Sequence, residues 1–170
     1  MSTVTFTRLI EAPAEELWRV FTALPSRPDW LCTVDAVSVL TPGPFGVGTG
    51  WRESRTLPDG TSLVEEYLVI EATPPTRLTL ISAGAGANYR TTYTFTPERT
   101  AGRPDGRGPA NPATTVQVIQ EGVPTGAYGR LLALVLGGLA ARAVEGALRR
   151  DLADLAAVAT RGRGPTATAA

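Results

Sequence analysis

Polar and apolar side chains alternate through the first strand-like stretch, from Thr3 to Glu11. Val4, Phe6, Arg8 and Ile10 fall on one face and Thr5, Thr7, Leu9 and Glu11 on the other, which predicts a strand with a mostly apolar face carrying one arginine. Pro13 suits a first helical turn, and Glu15 and Glu16 stand where a helix dipole favours negative charge. Leu17, Trp18, Val20, Phe21 and Leu24 then form a stripe at helical spacing, which Pro25 and Pro28 end before a short turn around Trp30. A strand near Ala36 to Leu40 leads into the glycine-rich run Gly43 to Gly50. A phosphate-binding loop needs G-x-G-x-x-G spacing and a helix start after it; here Trp51 to Leu57 follows with a strand pattern, so the run reads as a tight turn.

Pro58-Asp59-Gly60 predicts a hairpin joining that strand to one from Ser62 to Ala72. A two-residue loop groups Trp51, Glu53 and Arg55 with Val64, Glu66 and Leu68. A three-residue loop groups them with Leu63, Glu65 and Tyr67. Further strands are expected over Arg77 to Ser82, Asn88 to Thr96 and Thr114 to Gln120, for six or seven antiparallel strands in all. The polar stretch Arg99 to Ala113, dense in Gly, Pro and Arg, is expected to be a mobile loop. From Thr125 to Thr160 the pattern turns helical. Leu131, Leu132, Val135, Leu136, Leu139 and Ala143 share one face, whereas Val144, Leu148, Leu152 and Leu155 lie nearly opposite. Gly137-Gly138 is the expected site of a bend or local unwinding, with burial of the helix on two sides as the alternative. Arg161 to Ala170 reads as a disordered tail.

Length and composition then restrict the chemistry. A chain of 170 residues, 43% of them hydrophobic, fits one domain, here residues 1–160. The 16 basic residues are all arginine and balance 16 acidic ones, so no net field steers the chain to nucleic acid. With no histidine, the Ser-His-Asp and Cys-His arrangements and imidazole metal sites are excluded; with no lysine, so is a Schiff base. Neither a metal nor a cofactor is expected. The lone Cys32 suits a reducing compartment, and the beginning of the chain lacks a signal-peptide pattern. The apolar run Leu131 to Ala141 is too short to span a membrane, and a cytoplasmic location is expected. Any catalysis is left to carboxylates, phenols and guanidinium groups.

Ile10, Ala12-Pro13, Trp18, Trp30, the glycines Gly46, Gly48 and Gly50, and Pro74-Pro75 after a strand together resemble the START-like (SRPBCC) superfamily, in its polyketide cyclase/dehydrase-like branch. The resemblance implies an α+β helix-grip fold: a curved antiparallel sheet wrapped around a long C-terminal helix, with two short helices after the first strand. It also implies an internal cavity for a small hydrophobic or aromatic molecule. Members include aromatase/cyclases, lipid and hormone binders, coenzyme Q-binding proteins and proteins that sequester natural products. Two functions are therefore carried forward: a polyketide cyclase or dehydratase, and a noncatalytic carrier, sensor or sequestering protein.

Within such a fold, the site is sought among polar or aromatic residues on apolar faces. Tyr89 and Tyr93, on one face with Phe95, combine an apolar body with a hydroxyl for the ligand, or else are simple packing. Arg8 either meets an anionic guest or reaches solvent by its stem. Trp51, which starts a strand beside the pocket mouth in the family, is a candidate ligand contact, as are Leu131, Val135, Leu139 and Arg142 on one face of the last helix, with snorkelling at a helix flank as the other reading of Arg142. Trp18 and Trp30 match structural tryptophans of the family. Cross-strand ion pairing on a solvent face explains Glu53 and Arg55 without function; if they face the pocket instead, they are the candidates for proton transfer.

Overall fold

A computed structural model of the chain describes residues 2–56, 60–84, 87–99 and 112–161, with backbone alone at 84, 99 and 126–141. Strand β1 (Ser2–Ile10) is followed by helix α1 (Ala14–Thr22) and a 3-10 helix (Leu24–Asp29). Six more strands come next: β2 (Val34–Val39), β3 (Gly50–Thr56), β4 (Ser62–Thr73), β5 (Arg77–Gly84), β6 (Ala87–Arg99) and β7 (Pro112–Pro124). Helix α2 (Gly126–Arg161) closes the chain. Residues 100–111, most of the expected mobile loop, and 162–170, the expected tail apart from Arg161, which ends α2, lie outside the described residues.

All seven strands form one antiparallel sheet in the order β1-β7-β6-β5-β4-β3-β2. Strands β2 to β7 are neighbours in space as in sequence, and β1 joins beyond β7. The inner face of the sheet is buried through alternate residues of its strands, among them Ile10, Trp51, Val69, Leu78, Leu80, Phe95, Val116 and Val118. Against this face pack the buried side of α1 (Leu17, Val20, Phe21) and the second half of α2 (Leu148, Leu152, Leu155, Ala159). This is the expected helix-grip arrangement, with a curved sheet and a long helix. Between Pro25 and Pro28 the chain makes a 3-10 helix and not merely a turn, because proline tolerates the first turn and i→i+3 bonding tightens the rest.

The hairpin register is settled by Trp51 facing Tyr67 and Glu53 facing Glu65, so Glu53 and Arg55 share the inner face with Glu65 and Tyr67. A bulge between Val69 and Glu71 then shifts Glu71 to the outer face, opposite Thr79. The turn before β3 uses Gly43 at φ 109° and Gly48 at φ 89°, in the left-handed region that side chains disfavour. Helix α2 runs without interruption from Gly126 to Arg161, so no unwinding breaks it at Gly137-Gly138. No described helix is long and apolar enough to cross a membrane.

Candidate functional site

Strand alternation puts Trp51, Glu53 and Arg55 on the inner face of β3, and this face carries the chain's buried charge. The Glu53 side chain is completely buried. Trp51 Nε1 donates to its Oε1 at 2.8 Å, and Arg55 Nη2 donates to its Oε2 at 3.0 Å. Arg27 comes from the 3-10 helix; its Nε lies 2.6 Å from Glu53 Oε1 as an ion contact, although the N–H is not aligned for a hydrogen bond. Arg27 Nη1 donates instead to the backbone carbonyl of Phe21 at 3.2 Å. Its guanidinium sits over the rings of Phe21, Trp30 and Trp51, with centroids 4.9, 5.7 and 5.9 Å away.

Arg55 extends the cluster to α2, where its Nη2 donates to Asp151 Oδ2 at 3.2 Å, and to the turn after the 3-10 helix, where its Nη1 donates to Thr33 Oγ1 at 3.0 Å. Two guanidinium groups thus face two carboxylates, an arrangement in which each charge answers the others' desolvation. The carboxylates nonetheless differ. Burial alone pushes the Glu53 pKa up, but Arg27, Arg55 and the Trp51 N–H outweigh it and hold the group below the ordinary glutamate range. At Asp151 burial prevails over Arg55, and the pKa is raised.

Two tyrosines border the cluster. Tyr67 stacks on Trp51 with centroids 5.1 Å apart and donates its hydroxyl to Glu65 Oε2 at 2.5 Å; burial, then the Glu65 charge, hold its pKa well above the usual phenol value. Tyr93 packs on Phe21 at 4.7 Å, and burial, followed by Asp151, raises its pKa too. Both phenols are therefore donors at neutral pH.

A small cavity of about 10 Å³ is lined by Phe21, Arg27, Trp30, Leu31, Tyr93, Leu148, Asp151, Leu152 and Leu155. A larger, open recess of about 660 Å³ takes its lining from several strands, among them Leu40, Glu66, Tyr67, Leu68, Ile81, Ser82, Tyr89, Arg90 and Val123. The register sets Leu68, Ile81 and Arg90 in one row on the outer face, opposite in sense to Tyr67, Ser82 and Tyr89.

Of the residues singled out from sequence, Glu53, Arg55, Trp51 and Tyr93 meet around one cluster. Trp51 is wholly buried beneath Tyr67. Tyr89 shares the inner face of β6 with Tyr93 but borders the other recess, its ring over Gly122, where an added Cβ would lie 3.2 Å from it. Arg8 is half-buried on β1 opposite Val116. Arg142 is exposed, and the side chains of Leu131, Val135 and Leu139 lie outside the described residues. The outward neighbours Arg52 and Glu66 form the cross-strand pair on the solvent side.

Three members of the cluster escaped the sequence reading: Arg27, Asp151 and the N–H of Trp30. Asp151 carried a legible signal, since an acid three residues after Leu148 and four before Leu155 falls within the buried stripe of α2. Arg27 carried none, being placed by a 3-10 turn between two prolines. Trp30 is 8% exposed, and its Nε1 has no hydrogen-bond partner among the described residues. Cys32 is exposed, and its thiol pKa is raised by its contact with Asp154, burial adding to this, so nothing activates it.

A one-layer antiparallel sheet gripping a long helix, with ionisable groups on its inner face, defines a helix-grip domain of the START-like superfamily. The chain belongs to the polyketide cyclase / dehydrase and lipid transport family, whose model matches residues 1–160. No curated protein matches it. Among solved structures it is similar to TTHA0849 from Thermus thermophilus, at 20% identity and a TM-score of 0.69 over 96% of this chain and 100% of that one. It is also similar to the di-domain ARO/CYC BexL from the BE-7585A biosynthetic pathway, at 20% identity and a TM-score of 0.62, covering 94% of this chain and 49% of that one. A third likeness is to the di-domain ARO/CYC StfQ from the steffimycin biosynthetic pathway, at 13% identity and a TM-score of 0.66 over 95% and 52%. At such identities the likeness is one of fold, and this chain spans about half of each di-domain protein.

Proposed function

We propose that the chain binds a small hydrophobic or aromatic molecule on the inner face of the sheet and acts on it as a cyclase or dehydratase of polyketide-like substrates. The observation that carries this reading is Asp151. It is the carboxylate of the cluster that borders a cavity, its side chain keeps 20% exposure, and burial raises its pKa above the ordinary aspartate value. Arg27 and Tyr93 line the same cavity, so a carbonyl held there meets positive charge and a phenolic donor.

In the proposed cycle the Asp151 carboxylate takes a proton from a carbon between two carbonyls. The resulting enolate, stabilised by Arg27, forms a carbon–carbon bond to a second carbonyl, whose oxygen recovers the proton from Asp151. Loss of a neighbouring proton to Asp151, and its return to the departing hydroxyl, releases water and completes dehydration. Glu53 is committed to Trp51, Arg27 and Arg55, and serves here to hold Arg55 in place.

That same commitment favours a second reading, a noncatalytic carrier, because most of the cluster's charge is neutralised internally. Turnover of a linear poly-β-ketone thioester mimic separates the two. The enzyme reading expects cyclised or dehydrated product, a fall in kcat of about 100-fold for Asp151→Asn, and KM within about threefold. Binding of the mimic without any product, together with unmodified ligand on the purified protein in native mass spectrometry, establishes the carrier.

A further inference from the structure

We propose that the small cavity is a binding site for one water molecule, which in the ligand-free protein ties the 3-10 helix and its end to β6 and α2 through Arg27, Trp30, Tyr93 and Asp151. Size sets the first condition. At about 10 Å³ the space admits one water-sized body and nothing with a carbon skeleton. The polar lining sets the second. The indole N–H of Trp30 and the Nε–H of Arg27 are buried without a hydrogen-bond partner among the described residues, and both residues wall the cavity beside the Tyr93 hydroxyl and the Asp151 carboxylate. Buried donors without acceptors are costly, and proteins retain few of them.

The mixture of groups selects the occupant. Water accepts two hydrogen bonds and donates two, which matches two orphan donors, one carboxylate and one hydroxyl able to serve either way. A monatomic anion would satisfy both N–H groups but would lie against Asp151, and a cation would lie against the Arg27 guanidinium. A dry cavity fits no better, because cavities that stay empty are apolar throughout and this one is so only along Phe21, Leu31, Leu148, Leu152 and Leu155.

The bond to Asp151 gives the site a consequence. When the carboxylate is ionised, donation from the water polarises the water oxygen and strengthens the bond that it accepts from Trp30. The charge of Asp151 is thereby felt on another element. Asp151 is faced by Arg55 and Glu53 from β3, Arg27 from the 3-10 helix, Tyr93 from β6 and Cys32 from the turn that follows that helix. Of these, Glu53 titrates below the ordinary glutamate range, whereas the Cys32 thiol and the Tyr93 phenol are raised above their usual values.

Two measurements on the whole, ligand-free chain test this, and neither depends on whether the protein is an enzyme or a carrier. A crystal structure from crystals soaked in sodium bromide is expected to show one water oxygen within hydrogen-bonding distance of Trp30 Nε1 and of Asp151, with no anomalous bromide signal at that place. An empty cavity, or bromide within it, overturns the proposal. In nitrogen-15-labelled protein the Trp30 indole proton is expected to move downfield as pH rises through the raised Asp151 pKa. Its resonance is identified by its loss in Trp30→Phe, or by sequential assignment from its own backbone where that variant does not fold. In Asp151→Asn the transition is expected to vanish while the water stays, since the amide oxygen accepts as the carboxylate does. A Trp30 resonance that stands still across the range in wild-type protein, or that moves equally in Asp151→Asn, overturns the bridge to Asp151.

Discussion

At the scale of the residue, Glu53 and Asp151 share Arg55 and yet respond to pH in opposite senses. Glu53 has a folded pKa below its unfolded one, so its contribution to stability is complete above the ordinary glutamate range and is lost as pH falls through the lowered value. Glu53→Gln removes a buried partner of two arginines and is expected to cost about 3–5 kcal/mol at pH 7. Urea unfolding across acid pH should show that deficit narrowing as the wild-type carboxylate is protonated. Asp151 has a raised folded pKa, so its contribution is present below the ordinary aspartate range and is lost as pH rises through the raised value. Asp151→Asn therefore should gain stability relative to wild type as pH rises; a constant difference between the two across that range contradicts the raised pKa. Half of this site was legible in the sequence. Glu53 and Arg55 stood out as charges on one face of a strand, and only the hairpin register decided that the face was the inner one. Arg27 could not be read in the same way, because no periodicity describes the conformation that turns it inward.

At the scale of the element, the turn ahead of β3 makes the site possible by delivering Trp51, Glu53 and Arg55 in register. Gly48 holds φ at 89°, and a Cβ added there would meet nothing within 4 Å. The cost of Gly48→Ala is therefore that of the backbone alone, about 1–2 kcal/mol in urea unfolding, with ligand affinity unchanged. Such positions were readable, since glycine-rich runs between alternating segments have few other uses. Strand ends were less so. The strand expected from Thr114 to Gln120 extends from Pro112 to Pro124, because pairing with β6 and β1 holds polar residues in the sheet that pattern alone assigns to loops. Helix α2 also differs from its pattern: the apolar stripe changes side, but the helix does not unwind at its glycine pair.

Over the whole molecule, one sheet presents two surfaces to a prospective ligand. The inner face holds the buried charges and the small cavity beside Asp151, while the wide recess includes exposed Leu40, Leu68, Ile81 and Val123. Volume alone favours the second, which also carries Tyr67, Tyr89 and Arg90, whereas the small cavity brings together Arg27, Asp151 and Tyr93 beside the buried ion cluster. The family pattern could be recognised from the residues that fix shape, but not this division of labour, which depends on the third dimension bringing β3, the 3-10 helix and α2 together. The most direct measurement is a crystal structure of the protein with 2-acetylnaphthalene bound. The account places the carbonyl oxygen of the ligand at the small cavity, facing Asp151 and Tyr93. A ligand seated instead in the wide recess against Leu68, Ile81 and Tyr89, with the Asp151 cluster untouched, would contradict it.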